Sequence, residues 1–318
     1  MSVTLGARCR VISSLVASAS RWSRGTRRWG RNGAWRRHER GPRSADRHGR
    51  FQGWHGDRLP HHWQGPDVLI VPGALAIADD FDAFARELAE RFTVVTIERR
   101  GRGQSGPQGD DYGINSECDD LAAVQAATGA KLLFGHSFGG FIALEAARRS
   151  NVFEKLAVYE PGVSIDGSVD VSWAAGTQRQ LARGQDLAAF ITFVRGINPQ
   201  TTGKAPRWLL RLILPIAIRK REREQKYRLL PASIREHAEV ARLDNTYDSY
   251  RDITAEVLLM AGKDANATGA GPAVKRLLAV LPRATVAEFP ALDHFGPEKR
   301  PKQVAEVVSE FFSEMTEP

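Results

Sequence analysis

The sequence predicts an α/β protein: a mostly parallel central sheet flanked by helices, with an all-helical segment inserted between its two halves. Three observations carry this prediction. From Asp67 onward, short apolar runs alternate with amphipathic stretches of roughly 10–15 residues, the signature of strand–helix crossover units. This alternation stops near Ser164 and resumes near Arg251. The stretch between them is helical in period and contains no convincing strand.

Taken in order, "DVLIVPGA" is a buried-strand run ending at Pro72-Gly73. "DDFDAFARELAERF" places Phe81, Phe84, Leu88 and Phe92 at helical spacing, with Asp79 and Asp80 at the end where the helix dipole favours anions. "TVVTIERRGRG" is the next strand and a Gly-rich turn. In "INSECDDLAAVQAATGA" a helix is expected, with Asn115 or Ser116 as N-cap and Gly129 as stop. "KLLFG" and "VFEKLAVYEPG" are strands around the helix "FGGFIALEAARR". After the insertion come the strand "AEVLLMAGKD", the helix "AGPAVKRLLAVLP", the strand "ATVAEFPALDHF" and the closing helix "PKQVAEVVSEFFSE". The expected organisation is a core over 61–163 and 252–318, with a helical cap over 164–251.

Composition narrows the class. Of 318 residues, 42% are hydrophobic, enough for an ordinary core. The longest strongly apolar run, "LILPIAI" from Leu212 to Ile218, is far below the ~20 residues that cross a bilayer, so no transmembrane segment is expected. Cys9 and Cys118 cannot form a disulfide framework and have no metal-ligand spacing. A reducing, cytoplasmic setting is the expectation. The net charge of +8 is unevenly placed: residues 1–60 carry 14 Arg, no Lys and three acids, and the rest of the chain is slightly acidic. No nucleic-acid partner is therefore expected for the body.

The first sixty residues lack any periodicity, and Trp22, Trp29, Trp35 and Trp54 lie among their arginines. Such a segment reads as a disordered basic extension. Two other readings stand beside it. One is an over-long start or upstream DNA read out of frame. The other is a functional arm, either for targeting or for contacting phosphates and stacking on bases.

The chemistry concentrates in "GHSFGG". Ser137 stands where a short apolar strand meets an amphipathic helix, the context in which Gly-x-Ser-x-Gly is informative. A sharp turn there strains the serine backbone, and Gly135 and Gly139 supply the room it needs. The hydroxyl is lifted above the carboxyl ends of the strands, where open α/β sheets bind ligands. The N–H of Phe138 can donate to an oxyanion. A serine hydroxyl needs a base, and of the histidines beyond His62 the candidate is His294. His136 lies within the elbow and is expected to point away from Ser137. His237 lies in a charged helix and is expected to be solvated or part of the core.

The region from about Asp67 to Phe312 resembles the α/β-hydrolase fold family. The resemblance rests on four features in order: the "VPGA" turn; "ERRGRGQSG", with Glu98 where the family's turn has Asp; the "GHSFGG" elbow; and "ALDHFGPEKRP", similar to the family's histidine loop. It implies a serine hydrolase with a helical cap, an oxyanion hole and a triad in the chain order Ser137, Asp264, His294. Asp264 follows the strand "EVLLMAG"; Glu160, at the end of an earlier strand, is the alternative acid, and Asp293 a third. The second oxyanion donor is implied at the N–H of Ala74, with Leu75 next.

No motif calls for a cofactor or metal. Gly101-Arg102-Gly103 lacks dinucleotide-binding spacing, and a serine at the elbow argues against relatives that use an aspartate nucleophile. The expected function is cofactor-free cleavage of an ester or related acyl bond in a small, apolar organic substrate. The same triad also serves C–C bond, thioester or perhydrolase chemistry, and a receptor-like binding protein with weak turnover is a further alternative. "RWLLRLILPIAI" hints at an apolar substrate, though core packing between cap and body is the favoured reading of the same segment. Nothing in the sequence fixes the oligomeric state.

Overall fold

The structure is a computed structural model that describes residues 65–263, 265 and 270–314. The extension read over residues 1–60 and the predicted acid Asp264 lie outside the described residues. Six strands form one parallel sheet: β1 (Asp67–Val71), β2 (Thr93–Thr96), β3 (Leu132–His136), β4 (Lys155–Tyr159), β5 (Glu256–Gly262) and β6 (Ala284–Phe289), in the spatial order β2-β1-β3-β4-β5-β6. The chain leaves β1 towards one edge, then returns to build the other half from β3. The topological switch point is therefore the crevice between the carboxyl ends of β1 and β3, the place where such sheets hold ligands.

The four inner strands, β1, β3, β4 and β5, read as nearly continuous apolar runs because both of their faces are covered. On one face, Val68, Ile70, Phe134 and Met260 pack against α1 (Asp82–Leu88) and α10 (Pro301–Ser313) through Phe84, Leu88, Val304 and Val308. On the other, Leu69, Leu133, Val158 and Leu259 meet α2 (Ile114–Thr128), α3 (Phe138–Arg149) and α8 (Ala270–Val280). Each fully buried Leu, Ile or Phe contributes about 1.5–3 kcal/mol by leaving water.

Between β4 and β5 the chain forms α4 (Ala174–Ala182), α5 (Asp186–Ile197), α6 (Arg207–Ala217) and α7 (Lys220–Arg242). They enclose an apolar cluster of their own, which includes Trp173, Phe190, Phe193, Leu210, Leu214, Leu230 and Ile234. Of the segment "RWLLRLILPIAI", Leu210, Leu214 and Ala217 belong to this cluster, while Trp208, Leu212 and Ile216 face outward.

One local expectation is corrected. Neither Asn115 nor Ser116 caps α2; its N-cap is Gly113, which makes no side-chain cap. The N–H of the buried Ile114 donates instead to Glu239 Oε2 of α7, at 3.0 Å. A tertiary carboxylate has displaced the local cap. At the other end of α2, Gly129 does adopt the left-handed conformation that ends a helix (φ 73°).

The insertion is tied to the core by buried charge. Arg99, on the turn after β2, pairs with both oxygens of Glu117 from α2 and, at 2.9 Å, with Glu236 from α7. Arg102 pairs with the same Glu236 oxygen. Both arginines also donate to the Gly73 carbonyl oxygen, and Arg102 to Ala76 O. Two cations and two anions balance, with all four side chains almost fully buried. Removing one partner strands a charge in low dielectric. Glu236→Ala is expected to lower unfolding stability by about 3–5 kcal/mol in urea titrations, with Glu236→Gln costing less because it keeps the volume and one acceptor.

Candidate active site

The site grows out of the sheet's hydrogen-bond ladder. His136 is the last residue of β3, in register with Tyr159 at the end of β4, which is in turn in register with Met260 of β5. One residue further, Ser137 N–H donates to Tyr159 O (2.9 Å) and Glu160 N–H donates to Met260 O (2.9 Å). Both backbones then turn sharply: Ser137 has φ 53° and ψ −118°, and Glu160 has φ 43°. A non-glycine residue held in this region stores strain on the order of 1–3 kcal/mol, as functional sites commonly do.

Neighbouring glycines make the turn possible. A Cβ at Gly135 would meet Gly139 O at 2.5 Å, and one at Gly139 would fall on the Val71 carbonyl oxygen. Gly73 brings the turn after β1 close as well: a Cβ there would lie 3.1 Å from that of Ser137. The Pro72–Gly73–Ala74 turn and the start of α3 thus converge on Ser137. Leu75, in the left-handed region (φ 55°), gives its N–H to Ser233 Oγ of α7 at 3.3 Å. Among the described residues, no protein acceptor takes the N–H of Ala74 or of Phe138.

His294 lies on the loop between β6 and the short helix α9 (Gly296–Lys299). Its Nδ1–H donates to Glu160 Oε2 at 2.7 Å, and the other oxygen, Glu160 Oε1, accepts the N–H of Gly262 at 2.8 Å. The carboxylate is completely buried, while the imidazole keeps 28% of its surface open to the cleft. With Nδ1 committed to the carboxylate, Nε2 is the lone-pair nitrogen of the neutral ring. Burial pushes the His294 pKa down, but the Glu160 hydrogen bond and charge outweigh it, so this histidine sits above its ordinary value.

The alternative acid of the sequence reading is therefore the carboxylate that His294 meets. Asp293 turns elsewhere, accepting from Phe295 N–H (3.0 Å) and Lys299 Nζ (2.6 Å). Tyr159 OH donates to Asp293 O (2.8 Å) and Lys263 N–H to Leu292 O (2.7 Å), which fixes the histidine loop on the ends of β4 and β5.

Two features had no signal in the sequence. His136 donates from Nε2 to His294 O at 2.8 Å, with its ring 4.9 Å from that of His294. Its bare Nδ1 lies 3.4 Å from Glu298 Oε1. Burial, then the neighbouring His294 charge, holds His136 well below its usual range and hence neutral. Burial raises Glu298 to about 7. A third histidine, His237 of α7, donates from Nδ1 to Ser233 O (2.7 Å) and stands edge-on to Trp173 and Phe193. It is one turn beyond Ser233, whose hydroxyl accepts the N–H of Leu75 in the turn after β1.

A parallel sheet wound outward from β1 and β3, with a strained serine at the switch point, defines the class to which this molecule belongs. A profile of the alpha/beta hydrolase family matches residues 68–307. The chain belongs to this family and is a hydrolase. It is 23% identical, over 78% of its length and 88% of the relative's, to 2-(acetamidomethylene)succinate hydrolase of Mesorhizobium japonicum. An alpha/beta hydrolase from Sphaerobacter thermophilus matches in three dimensions with a TM-score of 0.66 and 26% identity, over 79% of this chain and 94% of that one. N-formylmaleamic acid deformylase from Pseudomonas putida shares the fold with a TM-score of 0.54 and 21% identity, over 78% and 92% of the two chains.

Glu298 makes stability depend on pH in an unusual direction. A carboxyl whose pKa is raised from 4.5 to about 7 on folding stabilises the fold below its unfolded pKa and loses that contribution as pH rises through 7. Relative to Glu298→Gln, the unmodified protein is expected to lose up to about 3 kcal/mol between pH 4.5 and 8, read as the difference in unfolding free energy at each pH.

Proposed function

We propose that this protein is a cofactor-free serine hydrolase that cleaves an ester or related acyl bond in a small, largely apolar organic molecule. Ser137 is the nucleophile, His294 the general base and acid, and Glu160, rather than Asp264, the carboxylate that orients it. The observation that carries this reading is the strained backbone of Ser137, held at the switch point between Gly73 and the start of α3. A residue is kept in such a conformation when its side chain must project from a corner.

In this reading Ser137 Oγ attacks the acyl carbon while its proton passes to His294 Nε2. The negative charge that develops on the former carbonyl oxygen is held by the N–H groups of Ala74 and Phe138. Leu75 is not the second donor, because Ser233 already takes its N–H. The imidazolium is stabilised by Glu160, the same interaction that raises the His294 pKa in the free enzyme. His294 then gives the proton to the leaving group, an acyl-serine remains, and water activated by the neutral His294 releases it. Substrate would lie under α7, where Trp173 and Phe193 flank His237. The names of two relatives, one an acetamido compound's hydrolase and one a deformylase, make small amides worth assaying beside esters.

Ser137→Ala is expected to abolish both p-nitrophenyl ester turnover and fluorophosphonate labelling; turnover equal to that of the unmodified enzyme overturns the assignment. The two acids separate in the same assay. Glu160→Gln should lower kcat by on the order of 10³-fold or more, while Asp264→Asn leaves it within a few-fold. Because the neutral imidazole is the active form, kcat/KM should climb as pH rises through a value above 6.5, and in Glu160→Gln the residual activity should show that limb at lower pH.

A further inference from the structure

The apolar segment that formed α6 does not turn all of its side chains inward. Leu210, Leu214 and Ala217 fill the insertion's core, while Trp208, Leu212 and Ile216 are 64%, 60% and 87% exposed. These three stand at i, i+4 and i+8, so they form one row along the outer face of the helix. Isolated apolar side chains on a surface are ordinary. A row of three large ones on a single helix contributes nothing to folding and remains in contact with water.

The charge along α6 and its two ends is one-sided. Lys204, Arg207, Arg211 and Arg219 are all exposed with no acid among them, whereas the cations that follow on α7 are mixed with acids, Lys220 lying 3.8 Å from Glu224. The chain beyond residue 60 is acidic on balance, so this is a local cationic rim on a body of the opposite sign. The ridge is also held firmly: Arg223 of α7 donates to Pro215 O (2.9 Å) and Ile218 O (3.0 Å), clamping the corner at which α6 turns into α7.

The charge selects the occupant. A second copy of the chain using the same face would set cation against cation across a two-fold axis. The chain's own Arg-rich first sixty residues would be repelled for the same reason. An apolar ridge of Trp, Leu and Ile beside exposed arginines of the same segment matches an anionic lipid surface, which accepts the ridge among its acyl chains and the cations at its headgroups. We propose that α6 docks this protein onto anionic membranes, lying in the plane of the interface with Trp208, Leu212 and Ile216 inserted and Arg207, Arg211 and Arg219 against the headgroups. Docking does not depend on the catalytic assignment.

Vesicle co-sedimentation of the full chain tests it, comparing phosphatidylcholine alone with phosphatidylcholine containing phosphatidylglycerol at about 0.15 M salt. The unmodified protein should partition at least about 10-fold more strongly to the anionic vesicles. A Leu212→Ser, Ile216→Ser variant should lose about 10-fold or more of that binding. An Arg207→Gln, Arg211→Gln variant should lose the preference for anionic lipid. Both pairs are exposed, and unchanged thermal unfolding verifies the fold. Ser137→Ala should bind like the unmodified protein, which separates failure of docking from failure of the catalytic reading. Three results overturn the proposal: no preference for anionic vesicles; equal binding by the Leu212/Ile216 variant, which places adhesion on the Arg-rich extension; or a dimer in light scattering that this variant dissociates.

Discussion

The constraint on which this molecule depends is the register of its parallel ladder beyond the strand ends. The bonds from Ser137 N–H to Tyr159 O and from Glu160 N–H to Met260 O continue the sheet by one step past β3 and β4. They hold two residues in strained conformations on adjacent strands, at one edge of one crevice. A register slip of one residue would reverse every side chain on the slipped strand. Because both faces of the sheet are packed, that slip would also turn buried apolar groups against the wrong helices. Core packing of the two faces therefore also fixes the positions of Ser137 and Glu160 to within a hydrogen bond.

The insertion is positioned by a different force. Its own apolar cluster holds α4–α7 together, but what aligns α7 with the core is polar: Glu236 with Arg99 and Arg102, Glu239 with the start of α2, and Ser233 with Leu75. Apolar contact is non-directional and would tolerate sliding of a helix over a surface. Buried charge-assisted bonds do not, since displacement leaves an ion unpaired. Two of these contacts reach the turn that flanks Ser137: the arginines held by Glu236 donate to Gly73 O, and Ser233 takes the N–H of Leu75. The Gly73 carbonyl takes bonds from both arginines, so the N–H of Ala74, across the same peptide, is aimed by the network that anchors α7.

These two kinds of constraint explain how far the sequence could be read. Buried parallel strands give uninterrupted apolar runs, so the alternation from Asp67 to Phe312 was legible, and so was the helical content of the insertion. Ser137 stood out because its turn leaves no room for side chains on either side, and steric need is written locally as Gly135 and Gly139. The carboxylate was not so marked. Asp264 and Glu160 both follow apolar strands in the sequence; what marks Glu160 is its bond to His294, 134 residues away, with its other oxygen held by Gly262. Asn115 and Ser116 looked like caps by composition, yet Glu239 supplied the bond from another element. The anchoring residues of α7 were illegible for the same reason: in "REHAEV" nothing local sets Glu236 and Glu239 apart until the β2 turn and α2 are brought against them.

The two histidines at the crevice illustrate how the same local chemistry divides into two roles. His136 and His294 have rings 4.9 Å apart, too close for both to be charged in a buried setting. Their partners decide which one takes the proton. The His136 Nε2–H is spent on the His294 carbonyl, and its Nδ1 faces Glu298, a carboxyl that burial keeps largely protonated below about 7. Burial, and then the charge on His294, keeps His136 neutral, and a neutral acid beside it offers no charge to oppose them. His294 faces Glu160, buried, bonded to Gly262 N–H and free to bear its charge against the ring. The site thus directs the proton to the histidine whose Nε2 is available to the cleft, and uses the other to hold that histidine's backbone in place.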